Sequence, residues 1–121
     1  MPIELKEENG GRILDVVLTG TLVKDDYGAL IAAFQRLARV HGCLRVLLDM
    51  TRFRGWDAGG MWEEIKFDLK HLGEMDRLAV IGEKKWQHAI AEFAKPFTPA
   101  ATRYFDAAKT ADARAWIEEP A

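Results

Sequence analysis

The sequence predicts an α/β domain with a mostly parallel sheet of about five strands, an N-terminal hairpin and about four helices. Three observations carry this. Short runs of β-branched and aliphatic residues alternate with amphipathic stretches of ten or more residues, the pattern of βαβ crossovers. An Asn9-Gly10-Gly11 turn joins the first two apolar runs into a hairpin. The run Leu44–Met50 is the most apolar of the chain and reads as the centre of a sheet covered on both faces.

Each element follows in order. Ile3–Glu7 alternates apolar and charged residues as a half-buried strand does, and Arg12–Thr19 is the second strand, ended by Gly20. Asp25 and Asp26 open a helix that runs to about His41, with both carboxylates opposing the positive end of its dipole. Tyr27, Leu30, Ile31, Phe34, Leu37 and Ala38 lie on one face of that helix. His41 sits in its last turn and Gly42 is its left-handed cap. After Leu44–Met50 comes a glycine-rich connection, 51–60, and a second helix from about Gly60 to Leu72. Arg77–Gly82 is the next strand and Lys85–Ala94 the third helix, stopped by Pro96 and Pro99. Thr102–Asp106 is the last strand, and Thr110 caps a closing helix to Glu119. No linker, repeat or low-complexity segment divides the chain, so 121 residues make one domain, 1–121.

Composition narrows the function classes. A formal net charge of −2 gives no overall attraction to nucleic acid, and none is expected as a partner. The single Cys43, beside Gly42 at the start of an apolar run, reads as a small buried residue of a reducing compartment. The charged amino terminus has no signal-peptide stretch, and no window reaches the ~18 apolar residues of a membrane span, so a cytoplasmic location is the expectation.

The constellations of catalysis are missing. No Walker-type loop occurs, and no GxGxxG follows a strand. His41, His71 and His88 fall on three different helices without paired ligand spacing, so no metal and no cofactor is expected. The chain contains no serine, which removes serine nucleophiles and phosphoserine switches alike. Glu63-Glu64 and Glu118-Glu119 read as solvated helix faces. An enzyme would require a pocket that groups Asp57, His71 and Lys85; the expectation is a non-enzymatic chain with no catalytic residues.

The element order, together with Leu47-Leu48-Asp49, Gly55-Trp56, Trp62–Phe67, Lys70-His71, Lys85-Trp86, Pro96-Phe97-Thr98-Pro99 and Arg103–Asp106, resembles the STAS fold of bacterial anti-anti-sigma factors. The match is nearer to the SpoIIAA-like family of small stand-alone proteins and covers nearly the whole chain. The phospho-regulated anti-anti-sigma factors carry a serine where the central strand's loop meets the next helix. Here that stretch is Gly55–Met61, without a hydroxyl, and Thr51 lies too early to replace it. The resemblance therefore implies a regulatory fold that has lost the kinase–phosphatase switch. It also implies a proposal of membrane association or apolar-ligand binding. A capping hydroxyl expected near Val23 is missing as well, at a cost of ~1 kcal/mol.

Seven residues stand out as a ligand- or partner-binding set: Phe53, Trp56, Asp57, Phe67, His71, Lys85 and Phe97. Phe53 and Trp56 lie between Arg52, Arg54 and Gly55 on a loop beyond the carboxyl end of a parallel strand, where α/β sheets bind ligands. That loop either meets a partner or folds back so that Trp56 caps the core. On the second helix Met61, Trp62, Ile65, Leu69 and Leu72 share one arc, while Phe67 lies about 140° away beside Lys70 and His71. It is either a single exposed apolar residue or an anchor. Trp86, Ile90 and Phe93 read as the core face of the third helix, with Lys84, Lys85, His88 and Lys95 on its flanks. Phe97, between two prolines, reads as a hydrophobic plug. The first reading is a STAS-like module acting through protein contacts, a homodimer among them; the rival is an apolar-ligand binder or a peripheral membrane-surface binder.

Overall fold

A computed structural model describes residues 3–56, 61–71 and 75–120, with the backbone alone at Met61 and His71. Asp57 thus lies outside the described residues, as does the His71 side chain.

The chain forms β1 (Ile3–Glu8), β2 (Ile13–Leu22), α1 (Lys24–His41), β3 (Leu44–Trp56), α2 (Met61–His71), β4 (Met75–Gly82), α3 (Lys85–Ala94), β5 (Ala101–Asp106) and α4 (Thr110–Glu118). The five strands stand in the order β1-β2-β3-β4-β5, the first pair antiparallel and the other three pairs parallel. The hairpin turn places Asn9 and Gly10 at φ of +54° and +71°, the conformation that favours this Asn-Gly pair.

Sequential strand order combined with right-handed crossovers puts α1, α2 and α3 on one face of the sheet. There the main core gathers Leu14, Val16, Phe34, Leu37, Val46, Met50, Leu78 and Val80. On the opposite face α4 packs a smaller core of Ile13, Leu47, Ala79, Ile81, Phe105, Ala113 and Ile117. Arginines from the sheet hold α4 in place. Arg45 donates to the Ile117 and Glu119 carbonyls, and Arg77 to the Trp116 carbonyl at 2.8 Å, satisfying acceptors that a helix end leaves open. Arg114 on α4 reaches back to Glu8 and, at 2.8 Å, to Asp15.

Several expectations are corrected. Gly20 does not end the second strand; at φ of +71° it is carried within β2, which continues to Leu22. The connection expected from Thr51 is strand as far as Trp56. Beyond Asp49↔Ile81, β3 outruns β4 and, among the described residues, pairs only with β2, from Thr19↔Arg52 to Leu22↔Trp56. Cys43 is exposed, because it stands in the bend just ahead of β3 and not within it. Thr110 is not a cap: its hydroxyl donates to the Ala107 carbonyl at 2.8 Å, and Lys109 occupies the N-cap position. On α3 the buried face is Gln87, Ala91 and Ala94, not the aromatics. Trp86 and Phe93 stay exposed, because the small side chains are the ones turned to the sheet. The missing cap of α1 is observed: Val23 is its N-cap residue and offers no side-chain hydrogen bond.

Candidate functional site: an apolar cavity under three helices

Alternation along β3 sends Leu44, Val46, Leu48 and Met50 toward α1–α3. Strict alternation would next send Arg52. Two register shifts against β2, one between Val17 and Thr19 and one between Gly20 and Thr21, insert extra residues in β3. Such bulges re-aim the side chains that follow. Phe53 and Trp56 are thereby returned to the same face as Met50.

The result is a run of aromatic rings at the carboxyl end of β3. Trp86 lies 5.9 Å from Phe53, Phe53 lies 6.1 Å from Trp56, and Trp56 stacks on Trp62 at 5.7 Å with an interplanar angle of 2°. Phe97 meets Trp62 edge-on at 6.4 Å, and the Lys66 ammonium sits 5.5 Å from the Phe97 ring centre. These separations suit offset and edge-to-face aromatic pairs.

Gln87 ties this end together. Its side chain, fully buried, accepts hydrogen bonds from the Glu83 and Lys84 amides at 2.8 and 3.1 Å and donates to the Phe53 carbonyl at 3.2 Å. One amide group thus satisfies the start of α3 and the unpaired edge of β3.

Beneath the rings lies a cavity of about 170 Å³ between the sheet and the three helices. Its walls include Leu14, Val16, Leu30, Phe34, Met50, Phe53, Trp56, Trp62, Ile65 and Ala91, and are carbon almost throughout. The polar exception is a hydrogen bond across the wall, in which the Tyr27 hydroxyl donates to Asp68 Oδ2 at 2.6 Å. Burial first, and then Asp68, push the Tyr27 phenol far above its ordinary range. Among the described residues no lysine, arginine or histidine lines the cavity.

The structure divides the expected binding set. Phe53 is a buried core residue, and Trp56 is half-buried and packed against the same core. Phe97 joins the same aromatic run through Trp62, but it is partly exposed and does not line the cavity. Phe67 is 62 % exposed on the outer side of α2, and Lys85 is exposed at the start of α3; neither lines the cavity. Asp57 and the His71 side chain fall outside the described residues. Sequence reasoning placed Tyr27 on the apolar face of α1 without giving it a site role, and passed over Asp68 and Gln87. Asp68 had a signal, since on a helical wheel it lies about 60° from Ile65 at the margin of the apolar arc. Gln87 had one too, as the polar residue four before Ala91.

Among the described residues no helix is long and apolar enough to cross a membrane, and no group of three His, Cys, Asp or Glu residues is placed to hold a metal.

No curated protein matches the chain. Among solved structures it is similar to the crystal structure, at 2.25 Å, of an uncharacterized protein of the DUF3478 family with a SpoIIAA-like fold from Shewanella loihica PV-4. The two share 25 % identity with a TM-score of 0.73, over 95 % of this chain and 91 % of that one. The SpoIIAA-like family model matches residues 13–118, which span β2 to α4. With that match over most of its length, the chain belongs to the SpoIIAA-like family.

Proposed function

We propose that this protein is a non-enzymatic binding module whose cavity takes a small apolar molecule. The observation that carries the reading is the cavity of about 170 Å³ with carbon walls and the stacked Trp56–Trp62 pair in its lining. Engineered apolar cavities of about 150 Å³ stay dry and accept benzene, so the guest is of the size of one ring or a short chain. No catalytic constellation is needed for the reading: among the described residues the walls turn almost nothing but carbon to the cavity, and the Tyr27 hydroxyl is bonded to Asp68.

The test is a titration of the intact protein with toluene, followed by methyl-resolved NMR. Shifts confined to Leu14, Val16, Leu30 and Ile65, saturating with one equivalent bound, support the proposal. An unchanged spectrum up to the solubility of toluene refutes it.

A second reading, action through protein contacts, is favoured by two aromatics on the outer surface, Phe93 at 66 % and Phe67 at 62 % exposure. Sedimentation of the wild type against Phe93→Lys tests it for self-association. A dimer dissolved by the added charge supports the reading, and monomers in both samples remove the self-pairing version of it.

A further inference from the structure

β1 stands at the edge of the sheet, paired along one side with β2 and, among the described residues, outermost in the strand order. Its four central residues, Glu4, Leu5, Lys6 and Glu7, are all exposed. An edge strand turns alternate backbone N–H and C=O groups outward, a template on which another strand can add. Charges along an edge ordinarily discourage that addition. Here their order makes the strand complementary to itself in one antiparallel register.

Two identical strands paired about a two-fold axis have one residue facing its own counterpart, and that residue fixes the register. With Leu5 on the axis, Glu4 of each copy faces Lys6 of the other. Residues two apart share a face of the sheet, so both pairs lie on the same face, directly across the junction. Opposite charges so placed stabilise a strand pair, and like charges destabilise it. An axis at Glu4 sets Glu4 against Glu4. An axis at Lys6 sets Lys6 against Lys6 and Glu4 against Glu8. An axis at Glu7 sets Glu7 against Glu7 and asks for Glu8, whose carboxylate is bonded to Arg114. Leu5 is 42 % exposed, and the favoured register covers it with its own counterpart. Lys6 reaches Glu8 at 3.6 Å with its side chain 76 % exposed, a surface contact that a facing carboxylate can replace.

We propose that β1 is a docking edge for a second copy of this chain, giving a two-fold dimer whose sheet runs from one copy into the other with Leu5 at the axis. The proposal depends neither on the cavity nor on the exposed Phe93.

Sedimentation equilibrium at low ionic strength gives the dimer dissociation constants of the wild type, Glu4→Lys, Lys6→Glu and the double variant. Each single change sets like charges across the junction twice and is expected to weaken the dimer at least about tenfold. The double variant, and an equimolar mixture of the two single variants, set opposite charges across it again. Both are expected to return to within about threefold of the wild type. Phe93→Lys is expected to leave this dimer unchanged. Because Lys6→Glu also faces Asp15 on β2, a measurement on the wild type alone accompanies the series. Alternate amides of residues 4–7 should exchange with solvent at least about tenfold more slowly at dimer-forming concentration than in dilute solution. A wild type that stays monomeric up to about 1 mM overturns the proposal. So does a dimer that both single variants leave intact, or one in which the β1 amides gain no protection. A folded double variant as weak as the single ones overturns the register with Leu5 at the axis.

Discussion

Filling the cavity from α3 separates a true void from a tightly packed core. Ala91 is 1 % exposed, faces the sheet and lines the void, so Ala91→Leu directs three further carbons toward it. At about 0.8 kcal/mol per buried methylene the gain approaches ~2 kcal/mol, provided the rotamer fits. Ala113 on α4 is the matched control: it is fully buried in the opposite core and does not line the cavity. Ala113→Leu has no room and should cost about 1–3 kcal/mol by overpacking. The two substitutions are chemically identical and should move stability in opposite directions. Urea unfolding measures both midpoints; for a domain of this size ~2 kcal/mol corresponds to roughly 8 °C in melting temperature. Ala91→Leu should also abolish toluene binding. A loss of stability in Ala91→Leu as large as that in Ala113→Leu would show that no usable void exists.

Three further outcomes follow from named contacts. Tyr27 holds its proton more tightly folded than unfolded, so its contribution is complete below the ordinary phenol value and is lost as pH rises above ~10. Urea titrations between about pH 9 and about pH 11 should therefore show a steeper loss for the wild type than for Tyr27→Phe, by at most ~1.4 kcal/mol per pH unit and less for a half-buried group. Arg114→Ala removes the pairs to Glu8 and Asp15 and should cost about 1 kcal/mol, a difference that narrows in high salt because the side chain is partly exposed. Gly82→Ala would bring a Cβ to 2.9 Å from the Tyr104 ring and 3.1 Å from the Gln87 Cβ, and should lower the thermal midpoint by the equivalent of about 1–3 kcal/mol.

Much of the architecture was legible because hydrophobic periodicity reports it directly. The hairpin, the order of elements and the span of α3 all follow from alternation, helical spacing and proline punctuation. The site was less legible, and β3 shows why. Phe53 and Trp56 were read as loop residues because Arg52, Arg54 and Gly55 interrupt the apolar alternation that marks a strand. The interruption is the pair of bulges, which shift parity without ending the pairing to β2, and a shift of parity is invisible without the partner strand. On α3 the apolar arc was assigned to its largest members. The helix instead presents Ala91 and Ala94 to the sheet and leaves Phe93 outside, so side-chain size misled where periodicity alone was ambiguous. The Tyr27–Asp68 pair joins residues 41 apart in sequence, and no local pattern announces it.

The overhang of β3 past β4 has a consequence for how the protein behaves while it folds. A strand edge without a neighbour is a template on which other chains can add, and this one carries Phe53 and Trp56. Gln87 occupies that edge as a short substitute for a missing strand, its amide nitrogen bound to the Phe53 carbonyl. Until α3 docks, the edge stands open. Gln87→Leu should therefore raise the yield of aggregates during refolding more than its loss of equilibrium stability accounts for, a difference that light scattering at matched unfolded fraction would measure.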